Sequence, residues 1–195
     1  MLLCSEILIA IYRFLPLLQN RLYMAKLYIN KDIVADKDKM ENWYLTGEEG
    51  LSFPDIQNFL SWIDPNDHVI DIEIHSCGGD AVEGYAIYDA LRASGKQISC
   101  TAVGRCASMA TVILLAAAKE RRFAYPHAKF LIHKPYMASY DGDLDLETLE
   151  SIKSNLESEK NKMLALYVER TGSEASVIEA QMNKAGWFGG ETAKQ

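Results

Sequence analysis

The strongest constraint on this chain is an alternation of strand and helix patterns between residues 68 and 133. Residues 68–75 (HVIDIEIH) alternate β-branched and polar side chains, and residues 97–104 (QISCTAVG) form a second run typical of a strand. Residues 80–94, which lie between them, carry apolar side chains at helical spacing and are followed by Gly95. Strands that alternate with helices predict an α/β fold with a mostly parallel sheet.

The segments on either side extend this alternation. Residues 107–118 (ASMATVILLAAA) are apolar on every side, which predicts a buried helix. A long, charged and periodic helix is predicted over 144–170, with Gly172 as its stop signal. The other predicted elements are strands at 26–34, 121–126 and 128–133, a polar turn at 35–42 and a helix at 51–63.

The composition is that of an ordinary globular protein. Hydrophobic residues make up 49% of the chain and charged residues 24%. A net charge of −7 provides no basic surface, so no nucleic-acid partner is expected. The cysteines lack C-x-x-C spacing, so we expect reduced thiols, a cytoplasmic location, and neither a metal nor a cofactor. They are Cys4, Cys77, Cys100 and Cys106.

The N-terminus differs from the remainder of the chain. Residues 2–18 are apolar but interrupted by Glu6 and Arg13, whereas a spanning helix needs about 20 predominantly apolar residues. The segment also lacks the charge and cleavage pattern of a secretory signal, so no membrane partner is expected. We therefore expect residues 1–24 to be an extension, either untranslated because synthesis starts at Met24 or an interfacial helix. Residues 25–195 are predicted to form a single domain.

Three short motifs are candidates for chemistry. Ser108 lies between a predicted strand and helix, with small neighbours and the unpaired N–H groups of a first helical turn, although a serine there is more often an N-cap. Gly78 and Gly79 allow a close backbone approach, but the same pair also suits an ordinary turn. His133 ends a short strand directly before a turn marked by Pro135.

Taken together, these motifs resemble those of the proteolytic subunit of Clp protease, ClpP. That family has N-S-P-G-G before a helix, A-S-M-G at its serine and M-I-H-Q-P at its histidine. The counterparts here are HSCGG at 75–79, ASMA at 107–110 and LIHKP at 131–135. Twenty-five residues separate Ser108 from His133, which matches the family without a gap, and the likeness spans residues 68–137.

The resemblance implies a fold, a reaction and partners. The fold would be the ClpP/crotonase-like spiral of ββα units, with the helix at 144–170 as the handle through which two rings of identical subunits stack. Ser108 would be the nucleophile and His133 the general base of a serine endopeptidase. The N–H groups of Gly79 and Met109 would form the oxyanion hole, and a strand-like edge after Gly79 would pair with a peptide or protein substrate. An ATP-driven unfoldase is a further implied partner.

The orienting carboxylate of the family's triad is missing from its expected place. When Trp187 and Glu191 are aligned with the family, the acidic position falls on Ala185. Asn183 or a backbone carbonyl could orient the histidine instead, or the protein could be a weak dyad or inactive. Other available carboxylates follow the histidine at Asp141, Asp143 and Asp145. Because losing this group can cost about 10⁴ in turnover, the third member of the triad is left open.

Other departures widen the range of hypotheses. Cys77 replaces the family's proline, and the ending at Gln195 omits a closing strand and predicts a truncated C-terminus. The stretch before residue 50 does not resemble the family's axial loop, so the docking of an unfoldase is left open. These traits are closer to prophage-encoded Clp-like peptidases. Besides a serine endopeptidase in a ring, the alternatives are a ring component without catalysis and an acyl-CoA enzyme of the crotonase type.

Overall fold

The computed structural model describes residues 24–137, 140 and 142–193. The strands are β1 (Met24–Ile29), β2 (Val69–Ser76), β3 (Gln97–Ala107), β4 (Arg122–Ala124), β5 (Lys129–Leu131) and β6 (Phe188–Gly189). The helices are α1 (Lys39–Thr46), α2 (Phe53–Trp62), α3 (Ala81–Ala93), α4 (Met109–Leu114), α5 (Leu146–Thr171), α6 (Ala175–Lys184) and α7 (Gly190–Ala193).

The strands form one mostly parallel sheet, in the order β1-β2-β3-β5-β6, with β4 also paired to β3. Only the β5–β6 pair is antiparallel among the described strands. Its core is aliphatic, because Ile70, Ile72 and Ile74 of β2 are fully buried against helices such as α3, which contributes Ile87 and Leu91. This architecture confirms the α/β class with a mostly parallel sheet and a long helix.

The long helix α5 has two different halves. Asp145 caps its start by accepting a hydrogen bond from the Thr148 N–H at 2.7 Å, and Gly172 ends it with a φ of 78°, as predicted. Leu146 and Leu149 in the first half are 82% and 48% exposed. The fully buried side chains of α5 all lie in its second half. The second half therefore packs on the core, and the first half extends away from it.

Three local predictions need correction. The prediction of a polar turn at 35–42 is wrong, because α1 begins within this segment at Lys39. The sequence has no amphipathic pattern there, since α1 buries none of its residues. The buried helix at 107–118 is shorter than predicted, because β3 extends to Ala107 and α4 begins only at Met109. The predicted strand at 26–34 ends at Ile29 in the structure, since the sheet pairing to β2 stops there.

The predicted N-terminal extension at residues 1–24 lies outside the described residues, apart from Met24 at the start of β1. Among the helices that the structure describes, none is both long enough and apolar enough to cross a membrane.

A buried serine joins α1 to α2. Ser52, the N-cap of α2, is fully buried, and its N–H donates to the Asp55 carboxylate at 2.8 Å. Its hydroxyl donates to Asp36 at 3.0 Å, and Lys39 of α1 donates to Asp55 at 2.8 Å. Burial alone would raise the pKa of Asp55, but the bonds from Lys39 and Ser52 outweigh it and hold the pKa below its usual value. This network is the main polar anchor of α1.

We predict that Ser52→Ala will lower the free energy of unfolding by about 1–2 kcal/mol, because it removes a helix cap and the buried hydroxyl that bonds to the Asp36 and Asp55 carboxylates. Urea denaturation followed by circular dichroism measures this change. The matched control is Ser61→Ala on the exposed end of α2, where the hydroxyl donates only to the Asn58 carbonyl. Equal effects from the two substitutions would contradict the anchoring role of Ser52.

Candidate active site

Ser108 is held in a strained backbone conformation at the junction of β3 and α4. Its φ is 51° and its ψ is −127°, a region that costs a non-glycine residue about 1–3 kcal/mol. The surrounding pairing maintains this conformation, since the Ser108 N–H donates to the Leu131 carbonyl at 2.9 Å. Its carbonyl accepts from the Thr111 N–H at 2.9 Å. Ser108 is therefore fixed from both sides at the end of the strand, with its side chain half-buried.

The loop at Gly78 and Gly79 packs directly against this backbone. A Cβ at Gly78 would lie 2.7 Å from the Met109 nitrogen and 2.8 Å from the Ser108 Cβ, so only glycine fits. Gly78 and Gly79 also have φ values of 88° and 141°, which disfavour other residues. The loop is held from below by the buried Ser76 hydroxyl, which accepts the Gly78 N–H at 3.0 Å.

Two N–H groups are left available beside Ser108. Met109 is the first residue of α4, and an N–H at that position has no partner within its helix. Gly79 forms a parallel bridge with Ile33, in which the Ile33 N–H donates to the Gly78 carbonyl and the Asp80 N–H donates to the Ile33 carbonyl, both at 2.8 Å. In such a bridge the Gly79 N–H and carbonyl point to the opposite side.

The predicted strand-like edge after Gly79 is absent. The chain enters α3 at Ala81, and the Asp80 carboxylate caps that helix by accepting the Glu83 N–H at 2.9 Å. The helix start takes over because an aspartate followed by helix-forming residues is a strong N-cap. Pairing groups are therefore limited to Gly79 itself.

His133 has a defined hydrogen bond but not to a carboxylate. Its Nδ1 lies 2.6 Å from the Lys134 carbonyl oxygen. A carbonyl oxygen can only accept, so Nδ1 donates this bond and Nε2 is the ring nitrogen left for an acceptor role. The ring also contacts Tyr136, with centroids 5.4 Å apart.

A single cleft of about 790 Å³ brings the predicted residues together. Gly79, Ser108, Met109 and His133 all line it. Its remaining walls come from α1 and the segment before it, from Pro135 to Met137, and from the core-facing side of α5. The sequence did not indicate α1 as part of this site, because a wall built by exposed side chains has no periodic signal.

Ala185, the position expected to hold the orienting carboxylate, lies between α6 and β6. β5 pairs with β6 through Lys129↔Gly189 and Phe130↔Phe188. The pairing ends there, since neither His133 nor Ala185 belongs to a strand. Ala185 has a φ of 48° and ends α6 as its left-handed cap. The position where the family carries a carboxylate therefore has a methyl side chain here.

The alternative orienting groups are not equal. The Asp145 carboxylate is already bonded to the start of α5, which lowers its pKa. Asp143 and Asn183 are exposed, and Asp141 lies outside the described residues. The Lys134 carbonyl is the group that His133 contacts through Nδ1. Of the candidates that the sequence left open, the structure therefore favours a backbone carbonyl.

A glycine loop, a strained serine and a histidine line one cleft of this α/β fold. The sequence model of the Clp protease family matches residues 55–195. The chain belongs to the Clp protease family.

Individual relatives agree with this assignment. The ATP-dependent Clp protease proteolytic subunit 1 of Chlamydia abortus is 30% identical over 140 residues, covering 70% of each chain. The ATP-dependent Clp protease proteolytic subunit of Porphyromonas gingivalis is 31% identical over 137 residues, covering 68% of this chain and 60% of that one. The solved structure of a ClpP1 mutant from Listeria monocytogenes aligns with a TM-score of 0.68 at 21% identity, covering 93% of this chain and 90% of that one. This last likeness shows the ClpP fold.

We predict that Gly79→Ala will destabilise the chain and displace the loop. A Cβ at this position would collide with the Ile33 carbonyl oxygen, so overpacking of about 1–3 kcal/mol would be added to the backbone strain. Gly95→Ala is the matched control, because Gly95 also has a positive φ, of 70°, but nothing lies within 4 Å. Thermal and urea unfolding of both variants measures the difference, and a Gly79→Ala chain as stable as Gly95→Ala would contradict the tight bridge.

Proposed function

We propose that this protein is a serine endopeptidase that cleaves peptide bonds through an acyl-enzyme intermediate. The observation that carries the proposal is the convergence of Ser108, His133 and the available N–H groups of Gly79 and Met109 on one cleft. Membership of the Clp protease family supports it and argues against the acyl-CoA alternative.

The proposed reaction uses each of these groups once. The Ser108 Oγ attacks the scissile carbonyl carbon, and its proton passes to Nε2 of His133. The negative oxygen of the tetrahedral intermediate accepts hydrogen bonds from the Gly79 and Met109 N–H groups; removing one such donor typically costs about 10²–10³ in rate. His133 then delivers the proton to the leaving amine. Water, activated by the same ring, releases the acyl group from Ser108.

The Lys134 carbonyl would replace the triad carboxylate in one of its two roles. It holds the imidazole with Nδ1 protonated, which is the tautomer that a general base at Nε2 needs. It carries no full negative charge, so it stabilises the imidazolium less than a carboxylate does. The proposed enzyme is therefore slower than one with a complete triad. The alternative of a ring component without catalysis is favoured by one observation, the methyl group at Ala185.

The partners follow from the same proposal. A peptide or protein substrate would pair with the free carbonyl of Gly79, as in β-strand addition, while the Gly79 N–H faces the scissile carbonyl. The exposed leucines Leu146 and Leu149 support a role of α5 as the handle between two stacked homo-oligomeric rings. An ATP-driven unfoldase partner is proposed on the descriptions of the relatives as ATP-dependent. A cytoplasmic location and a prophage origin stay predictions.

A fluorophosphonate probe tests the proposed nucleophile, because it reacts covalently with activated serines. We expect the wild-type chain to be labelled, Ser108→Ala to be unlabelled, and His133→Gln to be labelled at least about 10³-fold more slowly. Ser94→Ala is the control, since Ser94 lies at the end of α3 and its hydroxyl donates to the Leu91 carbonyl. A well-folded wild-type chain that resists labelling would refute the endopeptidase and favour the non-catalytic ring component.

Restoring a carboxylate tests the role of the missing triad member. We expect Ala185→Asp to raise the rate of fluorophosphonate labelling by about tenfold or more, because a carboxylate at the family's triad position would stabilise the imidazolium of His133. Aspartate tolerates a left-handed backbone better than alanine does, so the fold should be retained. Ala185→Asn has the same shape without the charge and should give no comparable gain. An unchanged rate in Ala185→Asp would show that position 185 does not face the histidine in the reactive state.

A further inference from the structure

A chain of buried hydroxyl groups lies directly beneath Ser108. The Thr111 Oγ1 donates to the Ser108 carbonyl oxygen at 2.6 Å and lies 2.5 Å from the Tyr167 hydroxyl oxygen. Thr111 and Tyr167 are 5% and 4% exposed, so water does not compete for these bonds. Thr111 belongs to the first turn of α4, whereas Tyr167 belongs to the second half of α5.

The direction of this chain follows from the chemistry of its members. A carbonyl oxygen can only accept, so the single Thr111 hydroxyl proton must point to Ser108. The Thr111 oxygen is then left with lone pairs only, and the Tyr167 hydroxyl must donate to it. Burial raises the pKa of Tyr167, which keeps that proton in place. The result is one ordered relay from Tyr167 through Thr111 to the Ser108 carbonyl.

The same stretch of α5 also holds the other end of α4. Arg170 lies one turn beyond Tyr167, and its guanidinium donates to the Leu115 and Ala117 carbonyls at 3.0 Å each. These carbonyls follow the last turn of α4. Helix α5 therefore fixes α4 at both ends. Neutral hydroxyl groups bind at the start of α4, and the Arg170 cation binds at its end, where the helix dipole favours a positive charge.

Neither hydroxyl takes part in the proposed reaction, yet both act on atoms that do. The Ser108 carbonyl and the Met109 N–H belong to the same planar peptide unit. A bond that fixes this carbonyl therefore sets the direction of that N–H as well as the ψ of Ser108. We propose that Thr111 and Tyr167 are positioning residues, which hold the nucleophile and one oxyanion donor in register from the long helix α5. This inference rests on the proposed function of Ser108.

The test compares acylation by a fluorophosphonate probe in the full-length chain. Thr111→Val keeps the shape of the side chain and removes the relay, Thr111→Ser keeps the hydroxyl, and Tyr167→Phe removes only the last donor. We expect the maximal acylation rate to fall by about tenfold in Thr111→Val and by less in Tyr167→Phe, since a displacement of about 1 Å can cost about 100-fold. The probe concentration at half-maximal rate should stay unchanged, and Thr111→Ser should recover the wild-type rate.

A double variant separates a relay from two independent packing effects. Because Tyr167 acts through Thr111, the Thr111→Val/Tyr167→Phe chain should be acylated no more slowly than Thr111→Val alone. Circular dichroism of the same samples gives the folded fraction, and a rate loss that merely follows this fraction would overturn the positioning role. If Thr111→Val fails to fold, the acylation rate of Tyr167→Phe tests the positioning role instead, since this variant keeps the Thr111 hydroxyl in place.

The outcomes distinguish this inference from the proposed function. A wild-type chain without labelling overturns the serine endopeptidase and the relay together. If the wild-type chain is labelled and the Thr111→Val and Tyr167→Phe variants are acylated as fast as the wild type, the relay alone is overturned.

Discussion

The close approach of the glycine loop to the serine backbone is the constraint on which the site depends. Gly78 lies so near Ser108 and Met109 that a single added carbon would collide with both. The loop can remain there because Ile33 pairs with it on one side and the Ser76 hydroxyl holds it from below. The strained conformation of Ser108 is stable only within this packing, so sheet, loop and helix fix each other.

Much of this arrangement could be predicted from the sequence because it depends on local patterns. Alternating residues identified β2 and β3, the glycine pair identified the loop, and Gly172 identified the end of α5. The parts that were missed depend on contacts between distant segments. The Ile33 bridge to Gly79 has no local signature, and α1 looked like a turn because it buries nothing. The carbonyl at His133 could be named only as one of several alternatives.

The orienting group shows how a backbone can take over part of a side chain's role. A carboxylate at the triad position both fixes the tautomer of the histidine and balances its developing charge. The Lys134 carbonyl supplies the geometric part alone. The proposed site therefore retains the orientation of His133 but lacks most of the electrostatic stabilisation of its imidazolium. In the proposed reaction, this division would let Ser108 and His133 act although position 185 is an alanine.

The two sides of the cleft differ in how firmly they are built. The side that carries the serine is enclosed by core packing and tied at both ends to the long helix. The opposite side is α1, which has no buried residue and is attached chiefly through Ser52 and Lys39. Substitutions on α1 can thus reshape which peptides enter without disturbing the atoms that would cut them. For the proposed peptidase, this arrangement would keep the choice of substrate separate from the chemistry.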